Sequence, residues 1–268
     1  MRKLISDVRY AFRMLSKHAF INGLAILVLA VGIGANSSLF SMIHGVLLSP
    51  LPFPEPDRIM AIQCEIRDIE TGASGPDYLD WKEQNEVFSD LVAIEMNSKF
   101  NLTGAGEPIA IKGWRVTTNF YDSLGAKPSI GRGFLPEESI AGNNQVVILS
   151  HQLWENQFNA DPEFIGEQII LDGESFTVIG IAAKNLGFIE DMAELMVPIT
   201  NEQLRRNRSH QYLMVLGRLK PAVTMAQAQV EMETISQRLA QEYVGSNKNK
   251  IARLMPLHEV VVEDVKLV

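Results

Sequence analysis

The stretch AFINGLAILVLAVGIGANSSLFSMIHGVLL, Ala19 to Leu48, sets the architecture of this chain. From Ala19 to Pro54 there is no Asp, Glu, Lys or Arg. Read as helix, the stretch is about 45 Å long, against roughly 30 Å of bilayer hydrocarbon. It predicts a single transmembrane helix over 19–48. A cleaved signal peptide would carry an apolar core of about 7–15 residues followed by small residues at a cleavage site, and no Ala-x-Ala site follows this run. A buried hairpin of a soluble protein fits neither the length nor the basic flank.

The flanks give an orientation. Arg2, Lys3, Arg9, Arg13 and Lys17 precede the helix against one acid, Asp7, whereas Glu55 and Asp57 follow it against Arg58. Basic flanks stay on the cytoplasmic side, so the N-terminus is expected inside and the rest extracytoplasmic. Residues 1–18 read as a cytoplasmic amphipathic segment. Leu4, Val8, Phe12 and Leu15 lie on one side, and Arg9 and Arg13 on another.

Charge divides the same way. Residues 1–18 hold five basic side chains and one acid; of the chain's 24 Lys and Arg and 32 Asp and Glu, that leaves 19 and 31 beyond, a net of −12. An acidic outer region argues against nucleic acid as a partner. Its roughly 210 residues suffice for one large core or two small subdomains. The lone Cys64 allows no intrachain disulfide, and its strand-like setting IMAIQCEI favours a buried thiol over a reactive one.

Prolines 50, 52, 54 and 56 make 49–57 a stiff, extended stalk. Residues 58–66 alternate as a strand. Ser74 to Asp77 start a helix with Pro76 in its first turn, read onward through YLDWKEQNEVFSDLVAI, with Tyr78, Trp81, Val87, Phe88 and Leu91 apolar. Residues 93–102 are then extended. A second strand–helix–strand unit closes the chain. Tyr212 to Leu219 is a strand, Thr224 caps a helix running to about Tyr243, Gly245 and Ser246 end it, and Lys250 to Pro256 is the last strand. Ala228, Met232, Ile235, Leu239 and Tyr243 form its apolar stripe.

The two units, 58–103 and 212–257, predict a split βαβ sheet of ferredoxin-like arrangement. Between them, 104–211 reads as an inserted β-rich subdomain. Its strands are short, Asp172-Gly173 marks a hairpin, and short helices run over Asn119–Leu124 and Ser150–Phe158. Residues 258–268 return toward the membrane. The fold class is therefore α+β behind one transmembrane helix.

Chemistry-bearing motifs are missing. There is no P-loop, no GxSxG, no HExxH and no CxxC. The glycines of VGIGAN fall inside the apolar helix, where small residues suit helix packing. His18, His44, His151, His210 and His258 form no recognisable dyad; His44 could face a partner helix, and Ser150-His151 diverge. Asp161, Asp172 and Asp191 read as caps and turn formers, and Trp114 and Trp154 as packing residues. No catalytic, cofactor-binding or metal-ligating residue is expected, and no enzyme activity.

A series of segments carries a family resemblance. DVRYAFRMLSKHAF leads into LAVGIGANSSLFSMIHGVLLSPLPFPEPDRI, followed by FNLTGAGEP, GWRVTTNFYDSLGAKPSIGRGFLPEE and VVILSHQLWENQFNADPEFIGEQIILDGESFTVIGI; GRLKPAVTMAQAQVEMETISQRLAQEY and PLHEVVVEDVK complete it. In this order they resemble the N-terminal part of MacB/FtsX-like ABC transporter permeases, in particular the acidobacterial duplicated orphan permease group, across essentially the whole chain. The resemblance implies a first transmembrane helix and an extracytoplasmic core domain without enzymatic activity, then further transmembrane helices. It also implies sister permease helices and a separate ATPase as partners. The sequence stops at Val268, where the family continues into its second transmembrane helix, which points to a fragment of a longer gene product or a truncated protein. The function expected is that of a non-catalytic permease component for export or mechanotransmission. The alternatives are a membrane-anchored extracytoplasmic sensor or adaptor without transport activity, and an anchored enzyme, which would need converging titratable side chains.

Overall fold

The computed structural model of the protein describes residues 20, 23–24, 27–34, 36–37, 53–104, 107–184 and 192–266. The chain divides into two compact units, Met1–Pro50 and Leu51–Val268. In the first unit the described residues are helical, and Phe20, Leu27, Val28, Leu29, Val31 and Ile33 are exposed. Among the described residues no helix is long and apolar enough to cross a membrane. The expected amphipathic segment 1–18 and much of the expected span 19–48 lie outside the described residues.

The second unit opens with a strap, Phe53–Arg58, ending in a 3-10 turn at Pro56–Arg58. This part of the proline-rich 49–57 is folded down onto the domain, because Phe53, 4% exposed, is buried in a core cluster. Then follow β1 (Ile59–Ile66), β2 (Ile69–Thr71), α1 (Gly75–Gln84), β3 (Phe88–Thr103), β4 (Ile109–Val116) and α2 (Phe120–Leu124). Next come β5 (Ile130–Gly131), β6 (Val146–Leu149), α3 (His151–Phe158), β7 (Gln168–Leu171), β8 (Glu174–Ile181), β9 (Leu195–Pro198) and α4 (Asn201–Leu204). The chain closes with β10 (Met214–Leu219), α5 (Met225–Glu242), α6 (Val244–Asn247), β11 (Lys250–Pro256) and α7 (Leu257–Lys266).

Local chemistry sets most of these boundaries. The Ser74 hydroxyl accepts from the Asp77 N–H and starts α1. At α5, Thr224 and Gln227 form a reciprocal capping box. Asp172 (φ 51°) and Gly173 (φ 85°) make the two left-handed positions of the β7–β8 hairpin. The largest difference from the sequence reading is at α1, which stops at Gln84 rather than running on through YLDWKEQNEVFSDLVAI. Asn85 ends it by donating its amide to the Trp81 carbonyl while accepting from the Phe88 N–H, which turns the chain straight into β3.

Pairing places β11, β1, β10 and β3 side by side in that order, with every contact antiparallel. Helices α1 and α5 cover one face through Tyr78, Trp81, Ala228, Met232, Ile235 and Leu239. A fully buried side chain of this size contributes about 1.5–3 kcal/mol. The other face packs Ala61, Val92, Ile94 and Leu216 against Phe53, Phe120, Leu124 and Leu257. The remaining pairings run from β3 to β4, β9, β6, β8 and β7 and back to β3, a closed ring of six strands. All six strands contribute to one interior core, among them Phe100, Ile111, Val147, Ile169, Val178 and Leu195.

Closure removes edges from the ring, but β11 ends the four-strand row. Helix α5 seals it. Gln229 donates to the Ala252 carbonyl (3.0 Å) and accepts from the Leu254 N–H (2.9 Å). Two turns further along the helix, the Ser236 hydroxyl accepts from the Ala252 N–H (3.0 Å). Side chains of one helix stand in for a neighbouring strand.

Gln229→Ala is expected to cost about 1–3 kcal/mol, because two strand-edge groups lose their partners; urea unfolding, with faster amide exchange at Leu254, checks it. The Tyr121 hydroxyl is buried and has no hydrogen-bond partner among the described residues. Tyr121→Phe should therefore leave stability unchanged or raise it by about 1 kcal/mol in the same unfolding measurement.

Candidate functional site

The strand register fixes two ends of the four-strand row. Met60 pairs with Pro256 at one end and Ile66 with Lys250 at the other, about 20 Å away at the usual rise per residue. The chain enters through the strap and leaves through Leu257 at the first end. The far end holds the densest polar chemistry of the domain.

Its centre is Asp77, 1% exposed, in the first turn of α1. One carboxylate oxygen accepts from Arg208 (2.9 Å) and the Asn247 amide (2.7 Å). The other accepts from the Ser74 hydroxyl (2.7 Å) and Lys250 Nζ (2.8 Å). Lys250 is itself buried and also donates to the Arg208 carbonyl (2.9 Å). Arg208 reaches on to Asp80 and lies 3.7 Å from the Tyr243 ring centroid. The cluster thus ties together α1, the loop before β10, α6 and the start of β11.

Burial by itself would raise the Asp77 carboxyl. Hydrogen bonds from Lys250, Asn247 and Ser74, with the Lys250 charge, outweigh it and hold the group below its ordinary value. Asp80 is pushed up, first by burial and then by the neighbouring Asp77 charge, against the pull of Arg208. A groove of about 560 Å³ opens beside Lys250, lined by Glu65, Arg67, Glu233, Lys248 and Arg253. Within it Arg253 pairs with both Glu65 (2.7 Å) and Glu233 (2.9 Å).

This arrangement fastens segments; it holds no activated nucleophile. Cys64 lies nearby, 1% exposed, and burial, with Asp77 adding, pushes its thiol up to about 12. The thiol is therefore protonated and inert, in keeping with the core position read from its strand. The described histidines sit apart. His151 Nδ1 is 3.5 Å from Glu155 and its ring meets Trp154 edge-on, while Ser150 spends its hydroxyl on the Leu153 N–H. His210 stacks on Tyr212, and His258 is exposed at the start of α7. His18 and His44 lie outside the described residues. Among the described residues no group of three metal-binding side chains comes together. Asp161 caps a turn through the Glu163 N–H, and Asp172 accepts from Asn101. Asp191 lies outside the described residues, and Trp114 and Trp154 are buried.

Sequence reasoning did not find the Asp77 cluster. The available signal was Lys250 itself, which occupies an inward position in the alternation of KIARLMP, where Ala252 and Leu254 are its neighbours on that face. An inward lysine demands a buried acid, but nothing in the spacing names residue 77.

With this geometry in hand, the comparisons decide the family. The family model described as the MacB-like periplasmic core domain matches residues 23–235. The chain belongs to that family. A search of curated proteins found no match. Three solved structures share the fold of the MacB-like periplasmic core domain seen here. A domain described as that of a permease from Porphyromonas gingivalis aligns with TM-score 0.57 at 16% identity, covering 76% of this chain and 92% of its own. The periplasmic region of MacB from Actinobacillus actinomycetemcomitans gives 0.52 at 14%, covering 79% and 94%. The extracellular domain of the noncanonic ABC-type transporter YknZ from Gram-positive bacteria gives 0.53 at 15%, covering 72% and 99%. Such identities speak to fold alone. The recognition drawn from the ordered sequence segments agrees with the family match.

Asp77→Ala leaves Lys250 buried without its counter-charge and is expected to cost about 3–5 kcal/mol in urea unfolding. Because the Asp77 carboxyl sits below its unfolded value, its contribution is present above about pH 4 and is lost as pH falls through the folded pKa. A denaturation series from pH 7 to pH 3 should show a steeper acid-side loss in the wild type than in Asp77→Asn.

Proposed function

We propose that this chain is a non-catalytic permease component of a MacB-like ABC-type export or mechanotransmission system, presenting its periplasmic core domain outside the inner membrane. Residues 19–48 serve as the transmembrane anchor, with 1–18 on the cytoplasmic side. The single observation that carries this beyond the family match is the tether geometry. The incoming strap and outgoing α7 meet at one end of the sheet, where Phe53 and Leu257 share a core cluster. A domain strung between two membrane segments needs both connections at one end.

In the same reading, β1-α1-β3 and β10-α5-β11 form a split βαβ, porter-like subdomain over 58–103 and 212–257. Residues 104–211 are the inserted β-rich part, and 258–268 lead back toward the membrane. The strand order β11, β1, β10, β3, with both helices on one face, supports the first assignment. The six-strand ring, which borrows only the end of β3 and otherwise uses strands of 104–211, supports the second. Partners of the matching chemistry are membrane helices of sister permease subunits and a separate ATPase that supplies the energy. No nucleic acid is involved.

Topology tests the proposal directly. The native Cys64 is buried and protonated, so it gives no labelling background. Ser209→Cys, at an exposed position, should react with a membrane-impermeant maleimide in intact spheroplasts, whereas Ser16→Cys should react only after lysis. The protein should stay with membranes through a carbonate wash. The reverse labelling pattern, or release of the protein by the wash, would overturn the assignment.

A further inference from the structure

The end of the sheet where the chain enters carries an arginine without an acid. Arg218, on β10, makes no ion pair among the described residues; its guanidinium is held by main-chain carbonyls from two separate segments. Nε donates to Ser123 O (3.0 Å), and one terminal nitrogen donates to Leu124 O (2.8 Å), both at the C-terminal end of α2. The other terminal nitrogen donates to Pro54 O (2.7 Å) in the strap and reaches Glu55 O at 3.5 Å. A helix C-terminus presents unpaired carbonyls that favour a cation, and a planar fork can serve two directions at once.

The two segments meet closely here. A Cβ built on Gly125, which caps α2 at φ 66°, would lie 3.2 Å from Pro54 Cγ. Glu55 holds a left-handed backbone (φ 47°) that a non-glycine residue keeps only when its surroundings impose it. Helix α2 is fastened on its other side as well: Asn119 and Ser123 both donate to the Asp90 carboxylate of β3 (2.6 and 2.7 Å). A few residues upstream of α2 lies β4, a ring strand. The strap's next tie is separate, Arg58 donating to Leu219 O (3.0 Å).

We infer that Arg218 is a latch that joins the strap to α2, so that displacement of the incoming chain at Phe53 is delivered to the ring-bearing part of the domain through this guanidinium. Apart from the apolar cluster that Phe53 shares with Phe120 and Leu124, its removal leaves the strap hydrogen-bonded to β10 through Arg58, and α2 to β3 through Asp90 and the Leu91 carbonyl. The latch goes beyond the transport reading, and its test contains no transport step.

Hydrogen exchange of the full chain in detergent micelles, read by mass spectrometry, tests it. Arg218→Met should speed exchange at least tenfold both in the strap (Glu55, Asp57 and Arg58 amides) and across 119–125, while 62–66 and 250–255 stay within twofold of wild type. Phe53→Ala, which loosens the strap, should speed exchange across 119–125 in the wild-type background and add nothing there in Arg218→Met. Continued protection of 119–125 in Arg218→Met would overturn the latch. So would an equal effect of Phe53→Ala in both backgrounds, because transmission would then run through the apolar cluster that Phe53 shares with Phe120 and Leu124. If Arg218→Met loses cooperative unfolding, Arg218→Lys decides instead. A single ammonium can hold one segment only, so one of the two should loosen tenfold, and full protection of both would overturn the inference.

Discussion

Strand β3 carries the constraint on which the rest of this domain depends. It runs for sixteen residues and belongs to both sheet systems. Its first half pairs with β10 from Phe88 to Ile94, and its second half pairs with β4 and β7 out to Leu102 and Thr103. The register shifts between Glu95 and Ser98, where the strand passes from one system to the other. Alternation along this one segment feeds three cores. Leu91 and Ala93 face α1 and α5, Val92 and Ile94 face the opposite side, and Phe100 and Leu102 fill the ring. Because side chains alternate strictly, a slip of one residue would exchange the faces, so the register of β3 is strongly specified.

The ends of the chain make the same domain cooperative. β1 is formed early in the sequence, yet it lies between β10 and β11, which come last. The four-strand row therefore cannot close until the whole of 104–211 has been made, and its contacts are long-range in sequence. Two polar fasteners complete the two ends of that row. The Asp77 cluster binds four segments at the far end, and the Arg58 and Arg218 carbonyl contacts bind the strap at the near end. Burying Asp77 with Lys250 costs desolvation, which the hydrogen bonds and charge around the carboxylate outweigh. The cluster also disfavours any other placement of α1, α6 or β11, because each would strand a charge in the core. In the permease reading, fastening at both ends lets the domain respond to its tethers as one body.

Much of the architecture was legible because it is written locally. Thr224 and Gln227 announce α5, Ser74 announces α1, Asp172-Gly173 announces the β7–β8 turn, and the inward face of KIARLMP marks β11 with the bounds found. Each of these depends on a few adjacent residues and the hydrogen bonds they make to one another. The end of α1 was not legible. Val87, Phe88 and Leu91 fit a helical stripe as well as a strand, and the choice fell to Asn85 bonding in both directions and to β10 waiting as a pairing partner.

The sequence by itself determined the family, the uncharged stretch, the two strand–helix–strand units at the ends and the inert setting of Cys64. All of these are properties of order, composition and short-range periodicity. Only the tertiary structure decided that Asp77 meets Lys250 and Arg208, that the strands of 104–211 close into a ring on the end of β3, and that Arg218 joins the strap to α2. These partners are separated by 67 to 173 positions in the chain, and what selects them is the requirement that every buried charge and strand edge find a partner in the assembled core.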